Sequence, residues 1–142
     1  MLNKTFIGIA QKLNQVFGDS HEIHIGSIKQ GLSEPCFLIN VLNPSYELII
    51  SNTYLLRQKF NILYYPENKV NPTEEINSVI STLQTEMEYI SVDNEIVRGT
   101  KISSEIIDET LHFFVNYDIR VVKNRILDPY MEELSQMERV KM

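Results

Sequence analysis

A chain of 142 residues with a formal net charge of −6 is sized for one domain. Its 13 basic residues are scattered, which argues against a general phosphate-binding role, because nucleic-acid affinity comes mainly from clustered Lys and Arg. No apolar stretch approaches the roughly 20 residues of a membrane span, and Gln11, Lys12, Asn14 and Gln15 interrupt what a secretory signal would need as an apolar segment. A domain of this size buries about two-thirds of the surface its unfolded chain exposes, so it needs neither disulfide nor metal to fold. The single cysteine, Cys36, lies in the apolar run PCFLINVL and reads as a small buried side chain in a reducing compartment.

In chain order, Leu2 to Phe17 reads as a helix. Leu2, Phe6, Ile9, Leu13 and Val16 recur at spacings of four and three, and Gly18 is placed to end the helix in a left-handed cap. Three strand-like runs follow: Glu22 to Ile28; Cys36 to Ile50, with Asn43-Pro44-Ser45 marking a bulge or bend; and Tyr54 to Tyr65, with Phe60, Ile62 and Tyr64 on one face. Ser51-Asn52-Thr53 reads as a hairpin turn between the last two. Asn71-Pro72-Thr73-Glu74 predicts a helix start, with Asn71 as cap, Pro72 at the first helical position and Glu74 completing a capping-box arrangement. Ile76, Val79, Ile80, Leu83, Met87 and Ile90 supply that helix's buried stripe.

Asp93-Asn94 turns the chain into a strand over Ile96 to Ile107, and Asp108-Glu109 turns it into TLHFFVNYDIRVVK, Thr110 to Lys123. That last run alternates with a period of two. Leu111, Phe113, Val115, Tyr117, Ile119 and Val121 fall on one face; His112, Asn116, Asp118 and Arg120 fall on the other, interrupted by Phe114 and Val122. As one strand it would reach roughly 40 Å, too long for a small domain to cover alone. The predicted order is therefore α-β-β-β-α-β-β: an α+β domain over residues 1–123, with an antiparallel sheet of four to five strands and both helices packed on one face. Residues 124–142 read as a tail, disordered or ordered by a partner. In a helix, Tyr130, Leu134 and Met137 would line one side, ready for a neighbour's groove.

Few residues suggest chemistry. His21 and His24 lie three apart in an extended segment, hence on opposite faces, and no Cys, Asp or Glu spacing completes a zinc set. His112 shares a strand face with Asn116 and Asp118, but no serine or cysteine has a nucleophile's context; Ser103-Ser104 lies in a strand without an elbow motif. Glu74-Glu75 is explained by helix capping, Glu132-Glu133 lies in the tail, and Gly99-Thr100-Lys101 lacks the phosphate-loop spacing. The reading is of a protein without catalytic, cofactor or metal residues.

The phrases LNKTFIGIAQKL, KQGLSEPCFLINVLNPS and VRGTKISSEIIDETLHFFVNYDIRV are more specific. In wording and order they resemble a family of small phage and prophage proteins, the tail terminators or tail-completion proteins. The resemblance runs from Leu2 to Lys123. The Asp108-Glu109 turn departs from the Asp-Gly expected there, and residues 124–142 have no clear counterpart.

The resemblance implies an α+β subunit in a homohexameric ring that caps the finished tail tube at its head-proximal end. Such a ring stops tube polymerisation and offers a surface to the head-side connector protein; in contractile tails it also ends the sheath protein. Its partners would be its own copies, the tube protein, the sheath where present, and the connector. DNA would pass the ring without specific binding, and no membrane is involved. The subunit and tube contacts expected are Gln30, Gly31, Leu32, Asn43, Pro44, Phe114, Val122, Tyr130, Leu134 and Met137. Three other classes share the acidic α+β character: a phage neck or head-completion protein, a bacterial adaptor or immunity-type binding protein, and, third, a small hydrolase or transferase.

Overall fold

A computed structural model describes residues 1–26 and 33–123. Helix α1 (Leu2–Phe17) leads through β1 (Glu22–Ile25) into two long strands, β2 (Cys36–Ile50) and β3 (Thr53–Tyr65). Helix α2 (Thr73–Glu86) follows, then β4 (Tyr89–Val92), β5 (Glu95–Arg98), β6 (Thr100–Ile107), β7 (Thr110–Asn116) and β8 (Ile119–Val122). The class is α+β, as the sequence predicts. The main sheet runs β1-β2-β3-β7-β6, β8 adds to β3 beyond the end of β7, and β4-β5 form a separate hairpin.

Both helices cover one face of the sheet. The core joins Phe6, Ile9 and Leu13 of α1 and Ile76, Val79 and Leu83 of α2 to Phe37, Ile39, Phe60, Ile62, Tyr64, Phe113, Val115 and Tyr117. Phe6 meets Phe60 edge-on at 5.2 Å between ring centres, and Phe17, Phe37 and Tyr64 continue the aromatic layer at 4.8 and 4.9 Å. Helix α1 also rests on β4. A Cβ on Gly8 would lie 2.5 Å from the Ser91 carbonyl oxygen, so only glycine permits this approach. Among the described residues no helix is long and apolar enough to cross a membrane.

Several expectations are corrected. Beside β2 the first strand runs parallel, with Glu22 opposite Cys36 and Ile25 opposite Ile39. The first helix does end at Gly18, but with φ 81° and ψ −176°, which is not the left-handed helical cap. The second helix stops at Glu86. Met87 and Ile90 are buried, but Ile90 lies in β4, which the helical spacing concealed. The run Ile96 to Ile107 divides at Gly99 between two sheets.

Asn71 and Glu74 do not form a capping box, and α2 starts without a side-chain cap bond. Glu75 takes the local role. Its carboxylate accepts the Tyr64 hydroxyl at 2.7 Å and the backbone N–H groups of Glu67 and Asn68 at 2.8 and 3.1 Å. Burial alone pushes this carboxyl up, but the Tyr64 hydroxyl, the Asn68 and Glu67 N–H groups and nearby His21 together hold it below its ordinary value of 4.5. A depressed folded-state value adds stability that is present above the ordinary carboxylate range and lost as pH falls through the depressed value. Glu75→Gln is expected to cost about 1.5–3 kcal/mol at neutral pH, the range for hydrogen bonds to a charged group. It should also flatten the acid limb of the stability profile, checked by urea unfolding from pH 7 to 3.

The run Thr110 to Lys123 is two strands. Lys59 faces Asn116 at the end of β7, and Leu56 faces Ile119 at the start of β8, three residues on along each chain, so the register is unbroken across the gap. Side chains replace the missing ladder bonds. The Gln58 side-chain amide donates to the Tyr117 carbonyl at 2.9 Å, and Asp118 Oδ1 accepts the Gln58 backbone N–H at 3.4 Å. The Tyr117 N–H still reaches the Gln58 carbonyl at 2.9 Å. Opposite Gln58, β2 bulges at Asn43-Pro44, with Asn43 at φ 46°; β6 bulges at Lys101-Ile102, with Lys101 at φ 51°. The β2 bulge, Gln58 and the Tyr117-Asp118 gap thus form a transverse seam, and the β6 bulge, opposite Val115, lies two residues to one side of it.

Candidate assembly surface

Beyond the seam, β2 and β3 project as a hairpin arm. Their 15 and 13 residues make them the longest strands here, whereas β7 has seven and β8 four. The overlong element is thus this hairpin and not Thr110 to Lys123. It turns at Ser51-Asn52, with Ile50 opposite Thr53. Along β2 the pattern changes from full burial at Cys36–Ile39 to full exposure over Asn43–Ile50. The body of the sheet has helices on it and the arm has none.

On the arm, the face that the helices cover in the body continues without them. Tyr46 is opposite Leu56 and Leu48 opposite Tyr54; on the far side of β3, Leu56 and Tyr54 face Ile119 and Val121. Tyr46 and Tyr54 stack with centres 4.6 Å apart and planes 11° apart, and the Lys123 ammonium lies 5.1 and 4.8 Å from their centres. Arg57 pairs with Glu47 at 3.6 Å, both well exposed, which contributes little to stability. On this face Leu48 is 56% exposed while Leu56 and Ile119 are buried; Ile50 and Val122, 71% and 58% exposed, flank Thr53 on the opposite face. Large apolar residues exposed on both faces of one hairpin end make the arm a candidate interaction site.

The residues singled out from sequence do not form one cluster. Asn43 and Pro44 lie exposed at the base of the arm and Val122 on β8 beside it. Phe114 sits in the body, half-buried, with the Lys59 ammonium 5.1 Å from its ring centre. Gln30, Gly31, Leu32, Tyr130, Leu134 and Met137 lie outside the described residues. Lys123, where the C-terminal description ends, is tied to the tip of the arm: its N–H donates to the Asn52 carbonyl at 2.9 Å, and Asn52 Nδ2 donates back at 3.3 Å. Sequence reasoning missed Tyr46, Leu48, Ile49 and Ile50. The available signal was the run YELII abutting a tight turn, which places apolar residues on both faces of a hairpin end.

The candidate chemical groups are dispersed. His21 packs among Phe17, Phe37 and Tyr64, and His24 meets Glu22 at 3.1 Å. His112 Nδ1 lies 3.4 Å from Asn61 Nδ2, whereas Asp118 is engaged with Gln58. The Cys36 thiol is pushed up by burial first and by the charges of Glu34 and Glu22, the opposite of an activated nucleophile. Among the described residues no group of three or more His, Cys, Asp and Glu could hold a metal ion. An open groove of about 470 Å³ between β5 and β8 is lined by Glu95, Arg98, Asp118 and Arg120 among others, charges of both signs that converge on no common point.

No curated protein matches this chain. One solved structure, 10% identical over 89% of this chain and 99% of its own, has a TM-score of 0.47 to it. The family model for the phage tail terminator protein matches residues 6–128, and the chain belongs to that structural family.

Proposed function

We propose that this phage tail protein forms a homohexameric ring on the head-proximal end of the tail tube, where it ends tube polymerisation and presents the joining surface to the head-side connector. The match over residues 6–128 carries this reading, and the uncovered arm is the feature that suits it. A subunit whose apolar face runs past its own helices has surface to give to a neighbour. Heterologous contacts that close on rotation produce a ring. A ring that ends a polymer must match the tube on one side and reject further tube subunits on the other.

Asn43, Pro44 and Val122 would make contacts through the arm, and Phe114 through the outer face of the sheet. Gln30, Gly31 and Leu32, and Tyr130, Leu134 and Met137, complete the proposed contacts. In a contractile tail the sheath would end at the same ring. The subunits would assemble in the host cytoplasm.

Particles made without the protein are expected to have tails of uncontrolled length and no attached heads, and labelled protein should appear by electron microscopy as a ring at the head-proximal end. Label at the baseplate, or protein found only outside the particle, would refute the reading.

A further inference from the structure

Among the described residues, the main sheet has two unpaired edges of matching length. Strand β6, eight residues long, carries β7 on one flank and no described strand on the other. On the opposite side β1 covers β2 only at Cys36–Ile39, so the eight exposed residues Asn43–Ile50 carry only β3. Past the Asn43-Pro44 and Lys101-Ile102 bulges, Ser45–Ile50, which has one further irregularity at Ile49, and Ser103–Ile107 contain neither Pro nor Gly and one charge each, Glu47 and Glu105. Both include exposed isoleucines: Ile49 and Ile50 on the arm, Ile106 and Ile107 on β6. An edge so little protected is a template for another strand.

The topology also fixes the sense in which copies can meet. Strands β2, β3, β7 and β6 alternate in direction, so β6 runs opposite to β2. Rotation about a ring axis keeps every strand's direction relative to that axis, so β6 of one copy arrives beside β2 of the next antiparallel, the more stable ladder. Laid antiparallel along their full length, the edges put Glu47 opposite Ser103, with Lys101 and Glu105 two residues to either side, so the sense is set by topology and not by charge.

We propose that the second copy is the occupant of the arm: β6 of one subunit adds antiparallel to Asn43–Ile50 of the next, so that the sheet continues from subunit to subunit. This rests on the ring reading above and names the strands that close the ring. It hides the isoleucines of both edges and leaves no long edge unpaired.

Because the one native cysteine, Cys36, is buried, introduced cysteines report the junction. Tails carrying Glu47→Cys with Ser103→Cys, which face each other when the two edges are laid antiparallel along their full length, oxidised and run under denaturing, non-reducing conditions, are expected to yield a ladder of covalent multimers. The yield should be at least tenfold above that of Ile50→Cys with Ile107→Cys, whose sites would lie seven residues out of that register and would face each other only if the edges met in parallel. All sites are exposed, so the isolated variants should melt with the parent. A ladder from the second pair and not the first overturns the antiparallel sense. Dimers from either single variant show like edges meeting and overturn the head-to-tail pairing. If immunogold places the protein in a ring at the head-proximal end and no variant cross-links, the edge pairing is wrong and the ring reading survives. If the protein is absent from that end, both fall.

Discussion

Truncating Phe113 to alanine is expected to cost about 3–5 kcal/mol, the loss seen when a large aromatic is removed from a packed core. Phe113 is fully buried and belongs to a core shared with Phe6, Ile62, Leu83 and Tyr117. The strand holds its backbone between Ile62 of β3 and Ser104 of β6, so the sheet cannot collapse onto the space left behind. Urea unfolding of the variant against the parent measures the difference. A loss below about 1 kcal/mol would mean that this face of β7 does not carry the core.

The second large effect is expected at Gly99, where the chain leaves the β4-β5 hairpin for the main sheet. A Cβ there would lie 2.7 Å from Val115 Cγ2, 2.8 Å from the Met87 carbonyl oxygen and 3.0 Å from Tyr117 Cε1. The Tyr117 hydroxyl donates to that same carbonyl, so neither neighbour can retreat without breaking a buried bond. Gly99→Val is expected to destabilise by about 2–3 kcal/mol, the upper part of the range for overpacking. The same urea experiment checks it, and a variant that unfolds with the parent would show that the corner is not pressed onto β7.

The core was legible because its signals are periodic. Phe113, Val115 and Tyr117 alternate, and Phe6, Ile9 and Leu13 recur at helical spacing, so both faces follow from the residues alone. The gap at Tyr117-Asp118 was invisible for the same reason: Gln58 and Asp118 bridge it without shifting the register, so the alternation runs through unchanged. Met87 and Ile90 continue the stripe of α2 numerically while belonging to its end and to a new strand, since a buried strand residue and a buried helix residue look alike over so short a run. The Asp108-Glu109 turn was legible as a turn although it lacks glycine; its residues take φ of 50° and 61°, the backbone Asp-Gly would favour. The parallel pairing of β1 depends on where the chain re-enters the sheet at Cys36, which no local pattern records. The candidate surface was half legible. Asn43-Pro44 announced the break in β2, but exposure of the residues beyond it follows from the helices being too short to reach them, a property of the whole fold.

The transverse seam gives the hairpin a mechanical character. From the seam at Ser45 to Ile50 the arm extends roughly 20 Å at strand spacing, so a bend of about 20° at its base would carry the tip about 7 Å. A bend at that row works against the β2 bulge and the side-chain bonds of Gln58 and Asp118 in place of uninterrupted ladders. The subunit is therefore a block with a lever, and a mismatch in angle between itself and whatever it grips would be taken up chiefly at one row, at the rim of the core beside Ile119.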